Sequence, residues 1–287
     1  MDFKALIDRV MNDAVPDTAS VPVRDPPFYC PLCRDTGWIE TEHDGYHFSA
    51  VCECVKQRSI LQRIERSGLG PIMERCTFQS FVHTEPHQQQ LWNAVTSYGK
   101  ALFVDHDAPP PWLYVSGIPG CGKTHICTAL CAKAMQSYGM TVRYMQWVED
   151  SRRMKSHIME PEFDDELDAF TACDLLYIDD LFKNVNNRPP TDADIRLAYL
   201  IIDSRYRTDK PTVISSEYSL DDLICRTDEA TFSRVWDRAK HFCVHIPRGG
   251  NNNYRLKGGN ENDHSGDLRP LGNGNDHPAE QNAEQCS

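Results

Sequence analysis

The chain has 287 residues, 40% hydrophobic and 25% charged, an ordinary globular composition with room for one large domain or two modest ones. Its formal net charge of -12 opposes nucleic acid as a global partner, so any DNA contact must use a local basic surface. No run of about 18 apolar residues occurs, which excludes a transmembrane helix, and Met1-Asp2-Phe3-Lys4 lacks the order of a secretory signal, so a cytoplasmic chain with no membrane contact is expected.

Phe3, Leu6, Ile7, Val10 and Met11 form a helical stripe over residues 2–14, and the proline-rich stretch 14–27 is expected to be a linker. Cys30-Pro-Leu-Cys33 and Cys52-Glu-Cys54 then give C-x2-C, an 18-residue gap and C-x-C. Two close thiolate pairs can converge tetrahedrally on Zn²⁺, and a segment this short needs such a staple because it cannot build its own core. Gly37-Trp38-Ile39-Glu40 and Tyr46-His47-Phe48 flank Asp44-Gly45, a hairpin signal, so a zinc ribbon is expected. Its aromatics Phe28, Tyr29, Trp38, Tyr46 and Phe48 suit either base stacking or the ribbon's small core. Residues 55–67 form a helix with Ile60, Leu61 and Ile64 on one face and Lys56, Arg58, Arg63 and Arg66 around it, a set that suits either phosphate contact or a solvated face. A further helix spans 86–104, and three consecutive prolines, Pro109 to Pro111, mark a hinge.

From residue 112 to 247 apolar runs alternate with helical segments. The runs are Trp112-Ser116, Thr141-Trp147, Asp174-Asp179, Thr212-Ser216 and Phe242-Ile246, and they predict a parallel sheet with crossover helices. The first run enters Gly117-Ile118-Pro119-Gly120-Cys121-Gly122-Lys123-Thr124, followed by His125 and a helical stretch to Gln136. This strand–GxxxxGK[ST]–helix order is the phosphate loop of nucleoside triphosphatases. Its glycines let backbone N–H groups curl around phosphate oxygens at a helix N-terminus. Lys123 is expected to reach the β- and γ-phosphates of ATP, and the Thr124 hydroxyl to bind Mg²⁺. Cys121 within the loop reads either as a tolerated small residue or as a redox-sensitive thiol. Leu175-Leu176-Tyr177-Ile178-Asp179-Asp180 supplies the second motif, with Asp179 assigned to Mg²⁺ and Asp180 to the base that polarises the attacking water. Asp is shorter than the Glu many ATPases use there, so slow hydrolysis is expected. Residues 258–287 carry five Gly, five Asn, six acids and one Arg, a composition expected to stay disordered.

Taken in order, the cluster CPLCRDTGWIE…CEC, the loop GIPGCGKTH, the block YIDDLF and the segment PTVISSEYSLDDL resemble the DnaC/DnaI-type replicative helicase loaders, in the version of Gram-positive bacteria and their prophages, over about residues 28–255. The resemblance implies an α/β fold, an AAA+ P-loop parallel sheet with helices on both faces, preceded by a small zinc-ribbon and helical N-terminal domain. It implies a division into residues 1–75 (helix and zinc-binding helicase-interaction domain), 76–111 (helical linker), 112–257 (AAA+ ATPase) and 258–287 (acidic tail). It further implies an ATPase with ATP, Mg²⁺ and Zn²⁺ as cofactors, and with the replicative DNA helicase, single-stranded DNA and, with ATP, further copies of itself as partners. By position in the family, Ser216 or Glu217 would sense the γ-phosphate, Arg238 (with Arg234 as rival) would be the arginine finger, and Arg255 would be a second sensor. A transposition helper ATPase of the IstB type shares this ATPase core, but such helpers are not expected to carry Cys30 to Cys54.

Overall fold

The computed structural model describes residues 30–43, 46–183, 189–225, 227–249 and 252–253. The predicted helix over 2–14, the linker, Asp44-Gly45, Arg255 and the tail lie outside these residues. Strands β1 (Trp38–His43) and β2 (Tyr46–Val51) pair antiparallel with Trp38 opposite Val51 and His43 opposite Tyr46, the expected hairpin. Helix α1 (Glu53–Ser67) follows, its buried Ile60 and Ile64 spaced by one turn, and Gly68 ends it in the left-handed conformation. After the short α2 (Gly70–Met73), α3 (Pro86–Lys100) starts at a reciprocal Glu85–Gln88 cap with Pro86 in its first turn, and buries Leu91, Val95 and Tyr98. The helical path continues as a wider turn over Ala101–Asp105.

The remaining elements alternate as expected. They are β3 (Leu113–Gly117), α4 (Lys123–Tyr138), β4 (Val142–Gln146), α5 (Trp147–Ser156), α6 (Pro161–Ala172), β5 (Leu175–Leu181), α7 (Asp192–Arg207), β6 (Thr212–Ser216), α8 (Leu220–Leu223), α9 (Glu229–Ala239) and β7 (Cys243–Ile246). Side-chain caps at Thr191, Ser219 and Asp228 start α7, α8 and α9. The five strands form one parallel sheet in the order β4-β5-β6-β3-β7.

Strand periodicity divides the sheet's side chains between two cores. Leu113, Val115, Leu175, Tyr177 and Val213 pack on one face with α3 and α4, whereas Tyr114, Leu176, Ile178 and Ile214 pack on the other with α5, α6, α7 and α9. The inner strands β3, β5 and β6 are therefore buried on both sides, which is why they read as nearly continuous apolar runs rather than alternating ones. The boundary placed at residue 75 does not coincide with a break in packing. Ile60, Ile64, Leu69 and Met73 belong to the same core as β3 and α4.

The base of the sheet is pinned by a residue the sequence did not single out. Arg205 on α7 is fully buried, and it donates to Thr212 Oγ1 (2.9 Å) and to the carbonyls of Phe170 (3.0 Å), Cys173 (3.0 Å) and Pro211 (2.6 Å). Its charge is met by carbonyls at the end of α6, the negative end of that helix.

Candidate functional site: a phosphate-loop cleft and a four-cysteine cluster

β3 lies between β6 and β7; the connection after β3 runs to β4 on one side and the connection after β6 runs to β7 on the other, so a crevice opens at the C-terminal end of β3. Pro119 to Thr124 line that crevice. At Gly117 φ is +139°, and a Cβ would fall 2.5 Å from the Ile246 carbonyl, so the residue must be glycine for β7 to close against the loop. Gly122, at φ +103°, begins α4, and a Cβ there would meet the Phe81 ring at 3.0 Å. Lys123 is buried, with Nζ donating to the Gly117 and Ile118 carbonyls at 2.8 and 3.1 Å. Cys121 is also buried, and burial raises its thiol pKa, which disfavours the thiolate a redox switch needs. His125 turns out of the loop toward the Thr77 carbonyl (2.9 Å) and the Ser80 hydroxyl (3.1 Å).

The two acids sit in a break of the sheet register. Ile178 pairs with Ile214 and Leu181 with Ser216, so Asp179 and Asp180 form a bulge opposite Ser215. Asp179 is buried, and its carboxylate accepts from Tyr177 (2.6 Å), Ser215 (2.6 Å), Tyr144 (2.9 Å) and Thr124 (3.2 Å), all neutral hydroxyls. Burial, and then the Asp179 charge, push the Tyr144 and Tyr177 phenols up, so both remain donors. A buried carboxylate that among the described residues is met only by hydroxyls, one of them from the phosphate loop, has the hard oxygen chemistry that suits a Mg²⁺ site. Asp180 adopts φ +56°, donates its N–H to Ser215 Oγ at 2.9 Å and accepts from Lys183 Nζ at 2.6 Å. Burial works against the Lys183 charge, but the bond to Asp180 together with the negative charges of Asp180, Glu217 and Asp179 keeps the pKa above the ordinary lysine value.

These groups border a cavity of about 590 Å³ whose opposite wall comes from Ile72 to Val82 and Gln88, upstream of the sheet. The cleft therefore depends on residues that the sequence assigned to separate segments.

Ser216, Arg234 and Arg238 are not brought to this cleft. Ser216 is fully buried and faces away, its hydroxyl donating to the Leu181 carbonyl (2.9 Å) and accepting from Tyr218 N–H (3.1 Å). The neighbouring Ser215 faces the acids instead, because a shift of one residue on a strand reverses the face. Glu217 does border the cavity and stands 3.7 Å from Lys183. Arg238 is buried in an ion pair with Asp209, donates to the Tyr206 carbonyl at 3.2 Å and lies 4.7 Å from the Tyr206 ring. Arg234 pairs with Asp203 at 2.9 Å. Both arginines tie α9 to α7 and its C-terminal turn rather than facing the chain's own cleft. Tyr144, Tyr177, Ser215 and Lys183 were not assigned from sequence. Only Tyr177 was open to detection, since it lies two residues before Asp179 and so on the same strand face.

The sulfurs of Cys30, Cys33, Cys52 and Cys54 all lie within 4.8 Å of one another, and all four side chains are buried. Cys30–Cys52 and Cys33–Cys54 approach to 3.7 and 3.3 Å. That is far beyond a disulfide bond of about 2.05 Å, and near the spacing of about 3.8 Å that tetrahedral thiolates adopt around Zn²⁺. Arg58 on α1 pairs with Asp35, which also accepts from Cys30 N–H at 2.8 Å, tying the cluster to the helix. Ile39 packs on the cluster, while Trp38 and Phe48 are 56% and 54% exposed, so these two aromatics do not form its core. Lys56 is exposed beside Glu53, 3.7 Å away. No helix among the described residues is long and apolar enough to cross a membrane.

A five-stranded parallel sheet with helices on both faces, a phosphate loop after its switch-point strand and paired acids on the next strand but one define an AAA+-type P-loop ATP-binding fold. Residues 94–262, more than half of the chain, match the family model of IstB-like ATP binding proteins, and the chain belongs to that family. It is 29% identical over 235 residues to phage-like element PBSX protein XkdC of Bacillus subtilis (strain 168), across 80% of this chain and 86% of that one. It is 28% identical over 220 residues to protein YqaM of the same organism, across 76% and 67%. Among solved structures, a putative primosome component from Streptococcus pyogenes serotype M3 shares the fold at TM-score 0.52 and 18% identity, over 68% of this chain and 97% of that one. The DnaC helicase loader shares it at TM-score 0.51 and 22% identity, over 61% and 98%.

Proposed function

We propose that this protein is an ATP-dependent loader of the replicative DNA helicase, acting in initiation of DNA replication. The observation that carries the reading is the coupling of two sites in one chain. A thiolate cluster suited to Zn²⁺ is joined through α1, by the Arg58–Asp35 pair and the shared core, to a phosphate-loop cleft in which Thr124 and Asp179 stand 3.2 Å apart. ATP would lie with its phosphates on residues 117–124, and Thr124 and Asp179 would hold Mg²⁺, which when bound neutralises phosphate charge. Asp180 is the residue proposed to polarise the attacking water. Arg238 is proposed to complete the site of a neighbouring copy, which requires its release from Asp209. The ribbon, with Trp38 and Phe48 exposed, is the part proposed to contact helicase. Single-stranded DNA would bind along the ATPase face.

The main rival is a transposition helper, since the family model is described as IstB-like. That match begins at residue 94 and leaves Cys30 to Cys54 outside it, which favours the loader. ATP turnover tests the enzymatic part. Wild type should hydrolyse ATP slowly, Lys123→Ala should lose nucleotide binding, and Asp180→Asn should bind ATP but turn it over about a hundredfold more slowly. Equal background turnover in all three would remove hydrolysis from the account.

A further inference from the structure

The turn after β5 carries a cation that the reading above does not use. Lys183 borders the same cavity as Lys123 and Thr124, donates to Asp180 Oδ2 at 2.6 Å and stands 3.7 Å from Glu217. Lys123, by contrast, donates to loop carbonyls. Lys183 is therefore the cation in contact with the acid assigned as base.

This turn is held in an unusual shape. Asp180 and Phe182 both take left-handed backbone angles, φ +56° and +58°, a region that a bulky residue such as Phe rarely adopts. Three bonds of 2.9 Å fix the turn: Asp180 N–H to Ser215 Oγ, Lys183 N–H to the Asp180 carbonyl, and the Ser216 hydroxyl to the Leu181 carbonyl. Phe182 is buried edge-on against Trp147, with ring centroids 5.2 Å apart. Strain kept in place by surrounding packing marks functional turns, and this one directs two opposite charges into the cleft.

We propose that Lys183 is an exchangeable latch on Asp180: the γ-phosphate of a bound nucleoside triphosphate draws Lys183 away and frees the carboxylate for the attacking water, whereas a diphosphate leaves the pair closed. The proposal rests on the ATP reading of the cleft. Its physical basis is a contest between anions. The Lys183 and Asp180 side chains are 37% and 23% exposed, so water screens their ion pair and makes it weak. A terminal phosphate brings more charge and three acceptor oxygens, and the four-carbon lysine stem moves with little resistance. Glu217 stands 3.7 Å from the ammonium and borders the same cavity, so it keeps the charge within the cleft as it changes partner.

Equilibrium titration of the full-length protein with fluorescent N-methylanthraniloyl ATP and ADP, in Mg²⁺, tests this. Wild type should favour the triphosphate. Lys183→Ala should reduce that preference about tenfold with ADP affinity unchanged, and Lys183→Arg should retain most of it. Asp180→Asn should tighten ATP binding about threefold, and should lose that effect when combined with Lys183→Ala. Lys183→Gln serves the same comparison should the alanine variant not fold. An unchanged ATP-to-ADP ratio in the Lys183 variants, equal losses for both nucleotides, or an Asp180→Asn effect independent of residue 183 overturns the latch. Wild type that binds neither nucleotide refutes the ATP reading instead.

Discussion

The cysteine ribbon buries four thiols with Ile39 packed against them, whereas the sheet behind the phosphate loop is covered on both faces by large apolar clusters. The first is a set of thiols whose spacing suits a metal, and the second holds its shape by packing. The contrast shows where each region is vulnerable. Removing metal should undo the ribbon and spare the cleft, and damage to the base of the sheet should do the reverse.

The largest expected effect follows from that contrast. Zinc in a four-thiolate site contributes on the order of 10 kcal/mol to folding. Chelation, or replacing Cys30 and Cys33 together by Ser, should release one metal per chain and expose the ribbon amides to rapid hydrogen exchange while ATP affinity stays near wild type. One metal per chain retained in the double variant would refute the ligand set. In the other direction, Arg205→Met removes the guanidinium that donates to the carbonyls of Phe170, Cys173 and Pro211. It should cost about 3 kcal/mol, a fall of roughly 10 °C in Tm, with metal content unchanged. A smaller loss than about 1 kcal/mol would mean that water replaces the guanidinium. The smallest effect concerns the exposed aromatics. Trp38→Ser with Phe48→Ser should change stability by no more than about 0.5 kcal/mol, yet weaken helicase capture; a large drop in Tm would show that they pack after all.

The two regions also differed in how openly the sequence disclosed them. The cysteines, the phosphate loop and the apolar runs are local patterns, and the five strands formed within one or two residues of their expected limits, most clearly β3, β5 and β6, because parallel strands buried on both faces are nearly all apolar. The surroundings of Asp179 are not local. Tyr144 reaches it only because β4 pairs with β5 in a register that sets Tyr144 beside Tyr177, and Ser215 rather than Ser216 faces it because of strand phase. The bulge at Asp179-Asp180 and the left-handed turn behind Lys183 likewise have no glycine to announce them. The second wall of the cleft was hidden for another reason. Residues 72–82 reach the phosphate loop through tertiary packing of α1 and α2, which proline and cysteine spacing do not encode.

Nucleotide-dependent capture of the purified replicative helicase of the host, with ATP, ADP and no nucleotide, tests the central claim most directly. It should use full-length protein beside the Cys30→Ser, Cys33→Ser double variant. The account predicts strong capture by wild type that changes with the nucleotide, and loss of capture in the double variant although that variant still binds ATP. No capture by wild type in any nucleotide state, or capture that is insensitive to both nucleotide and the cysteines, would contradict it.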